Sequence, residues 1–519
     1  MKFFTSSSLS VLTVAALLAG GCASKKCCAP EAAAAGATVA TIQTYPGIPE
    51  RPEKLTFPPF TFQPPKAAAY RVPLQSGPVA YVAEDRELPL VTISISVHTG
   101  DWVEPAGKEG LTDLCGNLLA RAGTESRTAQ ELEERLAFLA ANLGSGIQGA
   151  SGSVSLNLLS KDLDEGLTIL REVLTKPRFQ QDRMDLYKQQ TLQGMKQRND
   201  DSSTIEGIES GYLAYGEKFW DNRNQTAASV ETITREDLLA FHKRWFFPSN
   251  FVVTASGDFD RAQMIEKLEK LFADWPWTDS PPPAIPQDIA MATPGVYLMD
   301  KDVNQGRVTM MLPGIMRDNP DYFSIIIMNE IFGGGGFTAR IVSRVRSDEG
   351  LAYSVGSSFP GGVYFPYSFR AGFQSKSRTV AYATSIIIEE MKRIAAEPVS
   401  DEELENAKRG FIDRLPRSFA SKGQVVGVLS GEEFTGRYKT DPEYWQNVTA
   451  KISAVTKADV QRVAQKYLTP EKLVILVVGN KEEILKGHPN HAVKLEDIGG
   501  GKIIERPLRD PLTLVPLAK

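Results

Sequence analysis

Arg346 and Tyr353 stand seven residues apart within Gly333–Ser358, GGGGFTARIVSRVRSDEGLAYSVGSS. The text reads as a four-glycine break, a short basic helix and a strand opening on Gly-Leu-Ala-Tyr. An arginine at a helix end and a tyrosine at a strand start can aim a guanidinium and a phenol at one carbonyl. Donors of that kind stabilise an oxyanion when placed where charge develops. The residues alone leave a plainer alternative open: an exposed arginine favoured at the negative end of a helix dipole, and a tyrosine packed on a sheet. Arg344, two residues earlier, reads as a structural arginine. Gly333, Gly334, Gly335 and Gly336 either form a turn between helices that needs positive φ or let another backbone approach closely.

Few other residues offer chemistry. There are four histidines: His98 in a strand, His242 on a helix, and His488 and His491 in HPNH near the C-terminus. The last two have metal-like spacing, but no Cys, His or Glu is arranged beside them, and a solvated loop is the plainer reading. Cys115 lies on the apolar run Leu111, Leu114, Leu118, Leu119 and reads as core. No Ser/His/Asp or Cys/His set is found.

The elements that must position these residues come from a duplication. Ile233–Asp258, ITREDLLAFHKRWFFPSNFVVTASGD, aligns without a gap to Val455–Asn480, VTKADVQRVAQKYLTPEKLVILVVGN, at a constant offset of 222 residues. In each, a threonine caps a helix whose early Asp suits the positive dipole end, a proline follows, and an apolar strand stops at Gly257 or Gly479. Trp245, Phe246, Phe247 and Tyr467 hold equivalent places and read as core. The front halves correspond more loosely. Leu90–Val97 and Arg307–Leu312 read as strands, and Thr128 with Glu131 is a capping box opening a helix to about Asn142. Asn319-Pro320 starts a helix over Asp321–Phe332. Ile147–Leu159 and Tyr364–Gln374 alternate as strands. Each half is therefore expected to be an α+β layer, a mainly antiparallel sheet with helices packed on one face.

Length and composition agree. A chain of 519 residues exceeds one core, and 42% hydrophobic with 23% charged residues is an ordinary globular balance. A net charge of −5 without a Lys/Arg run argues against nucleic acid. Lys2, the apolar run Leu9–Leu18 and small residues Ala19-Gly20-Gly21 lead into Cys22, which resembles a bacterial lipoprotein signal with Cys22 as the lipidated residue. Ala19 stands where that signal usually has leucine, and an ordinary cleaved signal is the alternative. Cys27 and Cys28 fall in the tether that follows. The expected divisions are a signal peptide 1–21, an Ala/Pro-rich tether 22–67, a first domain 68–276, a linker 277–294, a second domain 295–485 and a tail 486–519. The expected location is the cell envelope of a Gram-negative-type bacterium, as an outer-membrane lipoprotein facing the periplasm, held by the anchor alone.

Two homologous halves of about 220 residues, with PSNFVVTASGDFD closing the first and GGGGFTAR followed by RSDEGLAYSV in the second, resemble the pitrilysin/insulinase-type zinc peptidases, the inverzincins. The mitochondrial processing peptidases and the core subunits of the respiratory bc1 complex are of the same family. The likeness spans roughly residues 68–485. It implies that two such halves form half of a clamshell around a chamber for unfolded peptides. It also implies that Arg346 and Tyr353 bind the scissile region and stabilise the oxyanion, with the loop Gly333 to Gly336 against the peptide.

The zinc motif is where this chain departs. Family members carry His-x-x-Glu-His within Gly-Leu-x-His. Here Gly110-Leu111-Thr112 is followed by Asp113-Leu114-Cys115-Gly116-Asn117, so the histidine positions are Asp113 and Asn117 and the glutamate position is Gly116. The distal ligand position, in Leu192-Gln193-Gly194-Met195, is Gly194. Catalytic zinc takes three protein ligands and a water whose pKa falls to about 7, and losing a general base alone costs roughly 10²–10⁴ in rate. The expectation is a chain with no metal or other cofactor of its own. It would be the non-catalytic subunit of a heteromeric zinc metallopeptidase, lending Arg346 and Tyr353 in trans to a homologous zinc-bearing partner. The alternative is a structural or peptide-binding chain without a catalytic partner.

Overall fold

Two helices, one in each half, begin identically. Thr234 Oγ1 accepts the Asp237 N–H while the Asp237 carboxylate accepts the Thr234 N–H, capping Arg235–Trp245. Thr456 and Asp459 cap Lys457–Tyr467 the same way. Each helix leads through a proline turn into a strand of the duplicated motif.

In this computed structural model, which describes residues 51, 54–55, 62–277 and 281–518, the strands are, in chain order, β1 (Arg71–Pro73), β2 (Val79–Glu84), β3 (Leu90–Val97), β4 (Asn142–Gln148), β5 (Ser151–Leu159), β6 (Phe251–Gly257), β7 (Gly295–Asp300), β8 (Gln305–Met316), β9 (Ala352–Ser358), β10 (Gly361–Gly362), β11 (Tyr367–Lys376), β12 (Val474–Gly479) and β13 (Ile503–Arg506). The first sheet runs β1-β2-β6-β3-β5-β4. The second runs β13-β7-β12-β8-β11-β9, with β10 on β8. Leaving out β1, β10 and β13, the sheets match strand for strand. β2 is parallel to β6 as β7 is to β12, and the remaining pairs are antiparallel. The α+β class is as expected.

Alternation explains which face is which. In β3, Val91, Ile93, Ile95 and Val97 are buried while Thr92, Ser94 and Ser96 are half-buried. The apolar face meets the half's own helices, including Leu111–Leu119 and Leu163–Thr175. The opposite face is partly covered by the other half. Helix Lys422–Phe434 packs Val425, Val426 and Leu429 against Tyr81, Ala83 and Val252. Reciprocally, helix Ser202–Tyr215 packs Ile205, Leu213 and Ala214 against Met311, Leu476 and Val478. Arg71 and Tyr81 donate to Glu433, and Arg307 and Thr309 to Glu206, so each seam has a polar lock. The two halves thus share cores in both directions.

Several boundaries differ from the sequence expectation. The helix opened by Thr128 is Ala129–Phe138 and stops short of Asn142, where β4 begins. Ile147–Leu159 is not one strand but the end of β4 and all of β5, since Gly149 at φ 57° turns the chain between them. The strand expected over Arg307–Leu312 extends to Met316, and that expected over Tyr364–Gln374 is Tyr367–Lys376. The helix expected over Asp321–Phe332 is α-helical for Tyr322–Asn329 and then π-helical for Glu330–Gly334. Residues 486–519 are more than a tail. β13 extends the second sheet, and Arg506 and Arg509 then reach the buried Glu209 at 2.9 and 2.5 Å on the first half's helix. Within 277–294, Trp102 and Trp220 donate their indole N–H groups to Pro283 O and Pro286 O, pinning the linker. No described helix is long and apolar enough to cross a membrane. The signal peptide, Cys22, Cys27 and Cys28 lie outside the described residues.

Candidate functional site

Helix Leu111–Leu119 carries three of the four positions where the resemblance places metal chemistry. Its apolar side, with Leu114, Cys115 and Leu118, faces the core, so Asp113 and Asn117 face the other way. They are engaged with each other. Asn117 Nδ2 donates to the Asp113 carboxylate at 2.9 Å and to its backbone carbonyl at 3.0 Å. Tyr187 Oη donates to the same carboxylate at 3.2 Å. Burial raises the Asp113 pKa, opposed by these hydrogen bonds.

Gly116 is more than a missing glutamate. A Cβ there would sit 2.7 Å from Gly146 C and 3.0 Å from its Cα, and closer still to the Ile147 amide. The helix therefore rests directly on β4, and Ser145 Oγ donates to the Gly116 carbonyl at 2.5 Å to hold it there. Gly194 is the opposite case: it is exposed, and a Cβ would meet nothing within 4 Å. One carboxylate, one amide and a glycine with no room for a side chain do not fit a catalytic zinc. Among the described residues, no group of three or more His, Cys, Asp or Glu could hold a metal ion.

Beside this helix opens a pocket of about 880 Å³ edged by Asp101, Glu104, Asp113, Asp221 and Arg223. Glu104 Oε1 accepts the N–H groups of Gly110 (3.0 Å) and Thr112 (2.8 Å), fixing the loop that enters the helix. Thr112 Oγ1 lies 2.7 Å from both Asp101 Oδ1 and Glu104 Oε1. The one hydroxyl hydrogen is shared between two carboxylate oxygens, which brings the two acids close together. Burial pushes Glu104 up to about 7 and raises Asp101 and Asp221 as well.

The second half brings Arg346 and Tyr353 together. Arg346 lies in the π-helical turn Ser343–Asp348 and Tyr353 is the second residue of β9. The guanidinium carbon is 4.5 Å from the centre of the Tyr353 ring, and Tyr353 is 84% exposed. Phe337, which the sequence did not single out, lies 4.5 Å from the same guanidinium and is 68% exposed. The only hint was an aromatic residue stranded among glycines without apolar periodicity. Arg344 donates to the buried Glu390 at 2.8 Å, as a structural arginine should. Arg340 forms a two-pronged pair with Glu403 at 2.6 and 3.0 Å.

The glycine run divides. A Cβ on Gly333 would press on Ile341 at 2.6 Å, one on Gly334 on Asn329 Nδ2 at 2.6 Å, and one on Gly335 on Glu330 O at 2.5 Å. Packing against their own surroundings accounts for these three. Gly336, at φ 73° with open space around it, makes the turn that presents Phe337.

The other candidates are structural in their surroundings. His242 is buried and stacked on Phe246, and burial holds its pKa down at about 3. His98 lies just past β3, stacked on Phe434, with its pKa lowered to about 4 by burial. His488 and His491 lie against Tyr382. Cys115 is fully buried, which raises its thiol pKa. Trp245, Phe246 and Phe247 are buried in the first half's core region.

Fold and site together define a duplicated α+β chain of peptidase architecture. Residues 80–206 match the family model described as Insulinase (Peptidase family M16), and residues 232–411 match that described as Peptidase M16 inactive domain. The two models together cover more than half of the chain, which belongs to peptidase family M16, the insulinase family. A protein of Rickettsia bellii named an uncharacterized zinc protease is 23% identical, the alignment covering 73% of this chain and 90% of that one. A Helicobacter pylori protein named non-peptidase homolog YmxG is 22% identical over 78% of this chain and 92% of its own. The crystal structure titled peptidase M16 inactive domain from Pseudomonas fluorescens superposes with a TM-score of 0.70 at 24% identity, over 79% of this chain and 97% of that chain.

Proposed function

We propose that this chain is a non-catalytic subunit of a heteromeric zinc metallopeptidase, with zinc held by a homologous partner and peptide enclosed between the two. The observation that carries this is the contrast in availability. Arg346 is half-buried against the exposed Tyr353 ring and has no ion-pair partner among the described residues, while the metal positions of the first half are occupied by groups that satisfy each other. In that role Tyr353 Oη and the Arg346 N–H groups donate to the substrate carbonyl and keep donating as negative charge grows on its oxygen. Such donors are worth about 10²–10³ each in rate. The loop at Gly336 borders the same peptide. Cys22 as a lipid anchor would hold the complex at the outer membrane, facing the periplasm.

The test is co-purification with an adjacent-gene homologue that carries His-x-x-Glu-His, followed by a peptide cleavage assay. Arg346→Ala and Tyr353→Phe are each expected to lower kcat by about 10²-fold. Unchanged turnover would sink the catalytic role. Stoichiometric zinc in the isolated chain would sink the pseudo-enzyme assignment. A stable chain that binds peptide, with no zinc-bearing partner recovered, would instead support the peptide-binding alternative.

A further inference from the structure

Three arginines leave the segment from 340 to 346, and their fates differ. Arg340 gives both prongs of its guanidinium to Glu403, and Arg344 gives Nη1 to Glu390. Arg346 does neither. Its guanidinium is flanked by the Phe337 and Tyr353 rings, each centred 4.5 Å away. Among the described residues no carboxylate lies within ion-pair distance of it, although Asp348 and Glu349 follow closely in the chain.

Ring contacts of this kind use the faces of the guanidinium and leave its in-plane N–H donors available. The two rings also hold the fork in one orientation, which removes part of the entropy cost of binding. Core packing does not explain them, since Phe337 and Tyr353 are among the most exposed large apolar side chains of the described residues. A planar fork fixed between aromatic rings matches a planar carboxylate through two parallel N–H···O bonds.

We propose that Phe337, Arg346 and Tyr353 form a receptor for a carboxylate carried by a peptide, either the peptide's own terminal carboxylate or an Asp or Glu side chain. This deepens the proposed function by naming the class of peptide the site takes, and rests on that reading only for the chemistry that follows binding. Carboxylate binding itself belongs to this chain alone. The turn at Gly336 presents Phe337, and the Arg340 and Arg344 ion pairs anchor the segment that carries Arg346.

The experiment titrates the full-length protein with one fluorescein-labelled ten-residue peptide in four forms, and with a fifth, amidated form carrying one central phosphoserine as a control. The four are a free C-terminal acid with uncharged side chains, the same peptide amidated, the amidated peptide with one central Glu, and its Gln counterpart. At least one carboxylate form is expected to bind tenfold or more tightly than its amide counterpart, and which one does so identifies the source. Arg346→Lys keeps the charge but lacks the planar fork, and should abolish that preference. Phe337→Ala should weaken it several-fold, with thermal melts confirming that both variants are folded. Equal binding of acid and amide forms, or a preference that survives Arg346→Lys, would overturn the proposal. So would tighter binding of a phosphoserine form than of either carboxylate form. The two readings fail separately. A carboxylate preference with Arg346-independent turnover removes the catalytic role alone, and lost turnover without a carboxylate preference removes this proposal alone.

Discussion

The helix Leu111–Leu119 and the segment from Phe337 to Tyr353 are built from similar material and differ in what their polar groups face. In the first, Asp113 is taken by Asn117 and Tyr187, and Thr112 is shared by Asp101 and Glu104. Gly116 is pressed on β4. In the second, the anchoring arginines are paired inward and Arg346 keeps only aromatic company. Residue type does not separate an open site from a closed one. The presence of an internal partner for each donor and acceptor does, because a group already satisfied must break a hydrogen bond to meet a ligand.

The strongest way to break this comparison is to rebuild the first site. Gly116→Glu should cost about 4 kcal/mol or more, because the side chain must displace β4 backbone. Urea denaturation would read this directly. Gly194→Glu, on an open surface, should change stability by no more than about 0.5 kcal/mol. The fourfold variant Asp113→His, Gly116→Glu, Asn117→His, Gly194→Glu should therefore not yield a folded zinc protein. If elemental analysis finds one zinc per folded molecule, the first site is merely unfurnished and not closed.

The duplication was legible because it is written in local rules. Thr234 with Asp237 and Thr456 with Asp459 are capping pairs, and a constant offset needs no tertiary knowledge. The absence of the zinc motif, and the spacing of Arg346 and Tyr353, were equally local. What escaped depended on contacts between distant segments. The reciprocal covering of each sheet by the other half's helix leaves no periodic trace. The role of Arg506 and Arg509 depends on Glu209, almost 300 residues away in the chain. The Gly-Ser run from 144 to 153 conceals a turn because alternation continues across it. Gly116 read as a loss, whereas only the position of β4 shows that a side chain would not fit.

A smaller effect comes from the buried acids of the first site. Glu104 titrates near 7 in the folded protein, well above an ordinary glutamate, so between about pH 4.5 and 7 the folded state binds more proton than the unfolded one. Stability contributed by this group is therefore full at low pH and declines as pH rises through that window. Asp101, Asp113 and Asp221 face the same pocket with pKa values raised by burial, opposed by Arg223 at Asp101, by the Tyr187 and Asn117 hydrogen bonds at Asp113 and by Arg370 at Asp221. Glu104→Gln keeps an oxygen for the Gly110 and Thr112 N–H groups and removes the charge. It should flatten the decline and stabilise the protein at pH 8 by on the order of 2 kcal/mol, measured as urea midpoints across pH. An unchanged slope would mean that Glu104 does not titrate in this window.

A modest effect in the second half tests the open site through its anchoring arginine. Glu390 is fully buried and accepts from Arg344 Nη1 at 2.8 Å and Arg393 Nη1 at 3.1 Å on a single oxygen. Its other oxygen has no partner. Glu390→Gln retains an acceptor but removes the charge that both arginines face. Because those arginines are partly solvated, the loss should be modest, about 1–2 kcal/mol. Its location matters more than its size. Arg344 lies in the same π-helical turn as Arg346, so hydrogen exchange should quicken across residues 336–353 and stay unchanged across residues 101–117. In the peptidase complex kcat should fall while KM holds, and Glu390→Asp, which keeps the charge, should restore part of it. Exchange that quickens equally in both segments would show that the open site is not held independently of the closed one.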